Sequence, residues 1–260
     1  MTLTYLIPYY NAYDDLSLSL ASLHENIDVT IVDDGSDIPL STLLNKAAYP
    51  FRIHIITAPS NLGIEGALNL GLDAIYNKYQ LVARLDCGDI SAPHRILSQL
   101  AYFARDPEYV LVGSWARFVD SDYTYLFTSK VPSNCKAIQH NMFLNNMFIH
   151  PSVMMKLSAV QKVGGYPVDR KAAEDYALFY KLQSCGKCAN IPEALIDYVV
   201  SPNSISSQQR TRQIISRIRV MQDHWTWNWR CQYGILRAIA LLLVPRNITM
   251  WLRKHITLYR

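Results

Sequence analysis

Val29-Thr30-Ile31-Val32-Asp33-Asp34-Gly35-Ser36 reads as a short apolar strand that runs into two acids and a glycine able to make the tight turn at its end. Upstream, Leu3 to Ile7 is an apolar run stopped by Pro8, and Asp14 to Leu23 sets Leu16, Leu20 and Leu23 at helical spacing. Downstream, Arg52 to Thr57 predicts a third strand, Ile64 to Tyr76 a helix, and Gln80 to Leu85 a fourth strand that delivers Asp86. Pro93 suits the opening of a helix over His94 to Phe103. Strands alternating with helices in this way predict an α/β fold whose sheet is mainly parallel. From Tyr109 the pieces turn β-rich (YVLVGSWARFV, then YTYLF), and a helix signal returns over Glu174 to Leu182.

With 260 residues, half of them hydrophobic and 18% charged, the chain is neither disordered nor collagen-like, and it can bury a core without staples. Five Cys and an N-terminus without a basic, signal-like region predict a reducing, cytoplasmic setting. Cys185-Gly186-Lys187-Cys188 has no second matching pair, which disfavours a zinc site. Gly63-x-x-Gly66 lacks both the dinucleotide fingerprint and the phosphate-loop Lys. The formal charge of +4 is unevenly spread: residues 1–209 carry fifteen Lys and Arg against twenty acids, and residues 210–260 carry ten against Asp223 alone.

Open α/β sheets bind ligands at the carboxyl ends of their strands, where this sequence collects Asp33, Asp34, Asp86 and Asp89. Clustered carboxylates repel, and a shared cation or donor relieves them; hard oxygen ligands point to Mg²⁺ or Mn²⁺. Asp33-Asp34 read alone serve equally as turn residues.

Several segments occur in one ordered set: Ile7-Pro8-Tyr9-Tyr10-Asn11, Val32-Asp33-Asp34-Gly35-Ser36, Asn61-Leu62-Gly63, Ala83-Arg84-Leu85-Asp86-Cys87-Gly88-Asp89, His150-Pro151-Ser152, Gly164-Gly165-Tyr166 and Glu174-Asp175-Tyr176. Their order and spacing over residues 3–206 resemble the family-2 glycosyltransferases of bacterial surface-polysaccharide and lipopolysaccharide assembly. The resemblance implies a GT-A, Rossmann-like fold, a nucleotide-diphosphate sugar donor (a UDP-sugar foremost), a divalent metal, and inversion at the anomeric carbon. By the same resemblance Pro8, Tyr10, Asn11 and Asp34 hold the nucleoside, Arg84 approaches the base or diphosphate, and Asp86 opens the metal motif. Gly88 stands where the family has its second acid. Either Asp89 takes over, making Asp86 and Asp89 the metal ligands, or Asp86 binds alone with the diphosphate and water. The resemblance also implies that Asp175 is the catalytic base, and the chemistry has a use for one, since an acceptor hydroxyl needs a carboxylate to take its proton. Glu174, His150 and Trp115 are candidates for the acceptor or a phosphate, with helix-end complementation, a satisfied buried ring and strand packing as their structural alternatives. A sugar-1-phosphate nucleotidyltransferase would need a glycine-rich basic loop near the first strand, which is absent. The Gly88 departure also allows a nucleotide-binding membrane partner without turnover.

Residues 1–206 form the expected catalytic domain and 207–260 a basic tail. Ile214, Ile218, Met221, Trp225 and Trp229 fall at helical spacing over 207–230, with further apolar segments at Ile235 to Val244 and Asn247 to Tyr259. Tryptophan-rich basic amphipathic helices predict a peripheral position on the anionic inner face of the cytoplasmic membrane, beside a lipid-linked or saccharide acceptor. The long aliphatic runs disfavour nucleic acid.

Overall fold

The apolar alternation of the first strands sorts their side chains onto two faces, and both faces are covered. The computed structural model of the protein describes residues 1–200 and 210–244. Its first half comprises β1 (Leu3–Tyr9), α1 (Tyr13–Ala21), β2 (Asp28–Asp33), α2 (Leu40–Leu43), β3 (Ile53–Thr57), α3 (Gly63–Ile75), β4 (Leu81–Arg84), β5 (Ile90–Ser91) and α4 (Arg95–Arg105). Then come β6 (Tyr109–Val119), β7 (Tyr125–Ser129), α5 (Cys135–Met142), β8 (Met154–Lys156), α6 (Leu157–Lys162), α7 (Glu174–Leu182), β9 (Lys187–Val199), α8 (Arg210–Asp223) and α9 (Trp229–Leu243). Leu6, Val32 and Val82 pack with Leu68 and Leu72 of α3 and Phe179 of α7. Their neighbours Tyr5, Ile7, Ile31 and Ala83 pack with Leu16 and Leu20 of α1 and Phe103 of α4, as the two-residue period of a strand requires.

One mixed sheet runs β3-β2-β1-β4-β8-β6-β9-β5, with β7 paired to β6. The β3-β2-β1-β4 half is parallel, β8 runs antiparallel to both β4 and β6, and β6 is parallel to β9. The ends of β1, β2, β4, β6 and β9 and the segment leading into β8 therefore share one edge. This is the α/β sheet flanked by helices that the sequence predicts.

The tail differs from expectation in one respect. A single helix over 207–230 is replaced by two, because α8 stops at Asp223 and Asn228 starts α9 by accepting the Arg230 N–H on its side chain. Ile214, Val220 and Met221 are buried against the α7 side of the core, whereas Trp225 and Trp229 are exposed. Helix α9 also docks, through Cys231, Gly234 and Ala238. A Cβ at Gly234 would stand 1.9 Å from the Phe143 carbonyl oxygen, so only glycine permits this approach. The other face of α9 exposes Trp229, Tyr233, Leu236 and Leu243. The junction at 206/207 and the expected segment Asn247 to Tyr259 lie outside the described residues. Among those described, no helix is long and apolar enough to cross a membrane.

Candidate active site

The turn after β2 is fixed by its own acids. Asp33 is fully buried and accepts the N–H groups of Ser36 (3.0 Å) and Leu40 (2.8 Å), so it is a turn residue. Asp34 accepts from Leu62 (2.8 Å) and Gly63 (3.1 Å), tying the turn to the start of α3. Burial, the larger influence, pushes the Asp34 carboxyl up, and these two N–H groups pull it down. Gly35 has φ +73°, and a Cβ there would meet the Ser60 carbonyl carbon at 2.6 Å. The Pro8–Asn11 loop lies against this turn: Asn11 exchanges hydrogen bonds with Asp37 and donates its backbone N–H to Ser36 Oγ, while Tyr10 stays exposed. Pro8, Tyr10, Asn11 and Asp34 thus gather at the ends of β1 and β2.

Arg84 sits differently from expectation. Its side chain is entirely buried, donating to the carbonyls of Leu6 and Leu85, to Asp86 Oδ1 and to His150 Nε2 (3.4 Å), while Arg95 supports its own carbonyl. With no exposed surface, its one bond to an acid of this edge is the one to Asp86. Asp86, 35% exposed, keeps Oδ2 without a protein partner among the described residues.

A turn closed by the Asp89 N–H on the Asp86 carbonyl (3.2 Å), with Gly88 at φ +93°, carries the next carboxylate inward. Asp89 is 3% exposed; Oδ1 accepts the Val199 N–H (2.9 Å) and Oδ2 is buried with no partner among the described residues. Burial first, and then the neighbouring Asp86, raise its pKa well above the usual carboxylate range. Among the described residues no three His, Cys, Asp or Glu side chains assemble into a metal-holding group. The donor chemistry still fits a hard cation that keeps waters and phosphate oxygens, since Asp86 offers an open oxygen and Asp89 an unsatisfied one beside it.

Asp175 opens α7 with both oxygens oriented: Oδ1 accepts the Tyr176 N–H (2.7 Å) and Oδ2 accepts from Asn146 Nδ2 (2.8 Å). Glu174, buried with Oε2 unpartnered, has its pKa raised by desolvation and then by Asp175. Three rings, His150, Tyr166 and Tyr198, lie within electrostatic reach of both Asp86 and Asp175. His150 is lowered to about 4 by burial and then by Arg84, and is neutral at pH 7. Its Nε2 faces the Arg84 N–H, a donor only, so Nε2 is the acceptor and the Tyr166 hydroxyl, 2.8 Å away, donates to it. Asn69 bonds both the N–H and the carbonyl of Tyr166, fixing the Gly-Gly-Tyr turn on α3.

Trp115 stands apart: its indole N–H donates to the Val131 carbonyl (2.9 Å) and Lys130 lies 5.3 Å over the ring. No described contact joins it to the acids. Asn146 and Tyr198 escape a reading of the sequence. Asn146 lies in a loop without pattern, and Tyr198 looks like any aromatic at a strand end; both are identified by the sheet edge they reach.

Comparison with known proteins bears on the chain as a whole. The family described as Glycosyl transferase family 2 matches residues 4–164. An Escherichia coli UDP-Gal:alpha-D-GlcNAc-diphosphoundecaprenol beta-1,3-galactosyltransferase is 26% identical over 254 residues, covering 93% of this chain and 90% of its own. Staphylococcus aureus TarS 1-349, solved with UDP-GlcNAc, superposes with a TM-score of 0.71 at 13% identity, over 98% of this chain and 79% of its own. The Pyrobaculum calidifontis mannosyltransferase PcManGT, solved with GDP-Man and Mn²⁺, superposes at 0.67 with 16% identity, over 99% and 81%.

Proposed function

The chain belongs to glycosyl transferase family 2, and we propose that it moves a sugar from a UDP-sugar onto a lipid-linked or growing saccharide, with inversion at the anomeric carbon. It is a nucleotide-sugar glycosyltransferase with the GT-A fold. The observation that carries the finer reading is the convergence on one sheet edge of the Asp34 turn, Asp86, and an Asp175 whose two oxygens are held by N–H donors.

In a single displacement the acceptor oxygen attacks the anomeric carbon, its proton passes to Asp175, and the bond to the diphosphate oxygen breaks. Asn146 fixes the carboxylate that receives the proton. Pro8, Tyr10, Asn11 and Asp34 form the nucleoside end. Arg84 holds Asp86 in place from beneath. Asp86, with Asp89 behind it, is the set that would hold a divalent cation, whose role there is to neutralise charge on the leaving diphosphate. His150, neutral and bonded to Tyr166, lines the space between the carboxylates. The names of relatives support a UDP-sugar donor and a diphosphate-linked acceptor.

UDP release, measured with a panel of nucleotide sugars, Mn²⁺ and a lipid-linked GlcNAc acceptor, tests the assignment. Release with one donor, dependent on acceptor, is the expected result; silence across the panel favours a binding partner without turnover.

The tail supports a place on a membrane surface. Trp227 (88% exposed) and Leu243 (84%) continue the apolar face of α9, and ten basic residues against one acid occupy 210–260. Flotation with phosphatidylglycerol vesicles is expected for the full chain, and Leu236→Glu/Leu243→Glu is expected to abolish it. Equal flotation of the variant would remove α9 from the contact.

A further inference from the structure

Between the loop leading into α7 and the first turns of α8 lies a cavity of about 500 Å³. Lys171, Arg212 and Arg219 bring three cationic groups to its walls, and Thr211 and Ser216 add hydroxyls. The one acid on the lining, Asp169, is already engaged by Arg170. The walls are fixed to each other: Arg170 donates through Nε (3.0 Å) and Nη2 (2.8 Å) to Asp223 Oδ2 at the end of α8. Lys171 Nζ is 3.9 Å from Glu65 Oε1, which ties this wall of the cavity to the first turn of α3. Ile215, exposed on the same helix face, gives the cavity an apolar lip.

We propose that this cavity binds the diphosphate of a lipid-diphosphate-linked saccharide acceptor, a reading that rests on the glycosyl-transfer function proposed above. The charges match: a diphosphate diester is a dianion with several acceptor oxygens, and two guanidinium forks with an ammonium suit it better than a single-charged group. The position matches as well. The saccharide must present its hydroxyl to Asp175 while its reducing end points away from the nucleotide, and one wall of the cavity is the loop, Asp169 and Lys171, that leads into the helix Glu174-Asp175 opens. The lipid beyond the diphosphate then meets Ile215 and the exposed tail. The donor's own diphosphate belongs to the Asp86 edge, so the two phosphate sites are separate.

Isothermal titration of the full chain under saturating UDP, with a GlcNAc diphosphate carrying a short isoprenyl chain, tests the assignment. The double variant Arg212→Gln/Arg219→Gln is expected to weaken binding by about tenfold or more, and UDP affinity serves as the folding control. A matched GlcNAc isoprenyl ether without the diphosphate is expected to bind weakly to wild type and to lose little in the variant. An unchanged affinity for the diphosphate compound, or an equal loss for the ether, would overturn the proposal. Competition by phosphatidylglycerol vesicles equal to that by the diphosphate compound would assign the cavity to a bilayer headgroup and overturn it too. Titration needs no turnover, so a chain that transfers no sugar refutes the function while leaving the diphosphate site separately readable.

Discussion

Asp175→Asn is expected to lower kcat about 10²- to 10⁴-fold, the usual worth of a general base, with UDP affinity unchanged. The substitution keeps size and an oxygen able to accept from Asn146 or Tyr176, so it removes proton-accepting capacity with little disturbance of the helix start. Glu174 is a poor substitute for it: burial and then the adjacent Asp175 raise the Glu174 pKa to about 8. UDP release and UDP titration on one preparation separate the two effects. A variant retaining more than about a tenth of wild-type kcat would exclude Asp175 as the base, since that is less than a general base contributes.

The second large effect is expected at Arg84, where Arg84→Met should cost about 2–4 kcal/mol of stability, or roughly 5–15 °C in Tm for a chain of this size. The guanidinium is wholly enclosed and serves two backbone carbonyls, Asp86 and His150 together. Methionine replaces the volume and none of the donors, leaving the Leu85 carbonyl without that donor. Asp86 is a third exposed, so water offsets part of its loss; the buried carbonyls set most of the figure. Asp86 is also released from its orientation, and kcat/KM should fall by more than about a hundredfold, as misplacement of a catalytic group does. An unchanged urea midpoint would show that Arg84 does not carry the stability, and an unchanged kcat/KM that it does not orient Asp86.

Much of this architecture is legible in the sequence because the parallel half announces itself locally. Leu3 to Ile7, Val29 to Val32 and the helix after Gly63 are each strong periodic signals, and the acids close the strands they follow. The antiparallel insertion of β8 between β4 and β6 is not legible: three residues, Met154–Lys156, carry no pattern, and their direction is decided by long-range pairing. Direction of side chains is equally hidden. Asp86 and Asp89 look alike in sequence, yet the left-handed turn at Gly88 exposes one and encloses the other. Arg84 resembles a ligand contact until the carbonyls of Leu6 and Leu85 are seen to surround it. Helical spacing from Ile214 to Trp229 continues through a break, because periodicity does not register the capping power of Asn228.

The glycine contact between α9 and residue 143 has a thermodynamic corollary. Gly234 abuts the Phe143 carbonyl and Arg237 donates to that of Leu144 (3.1 Å), two residues before the asparagine that orients Asp175. One face of this helix thus bears on the loop that holds Asp175 and the other is the exposed apolar stripe. On the roles proposed for Asp175 and for α9, linkage between such faces would be reciprocal: whatever free energy a lipid surface added to the arrangement around Asp175, occupancy of that site would return to the affinity for lipid.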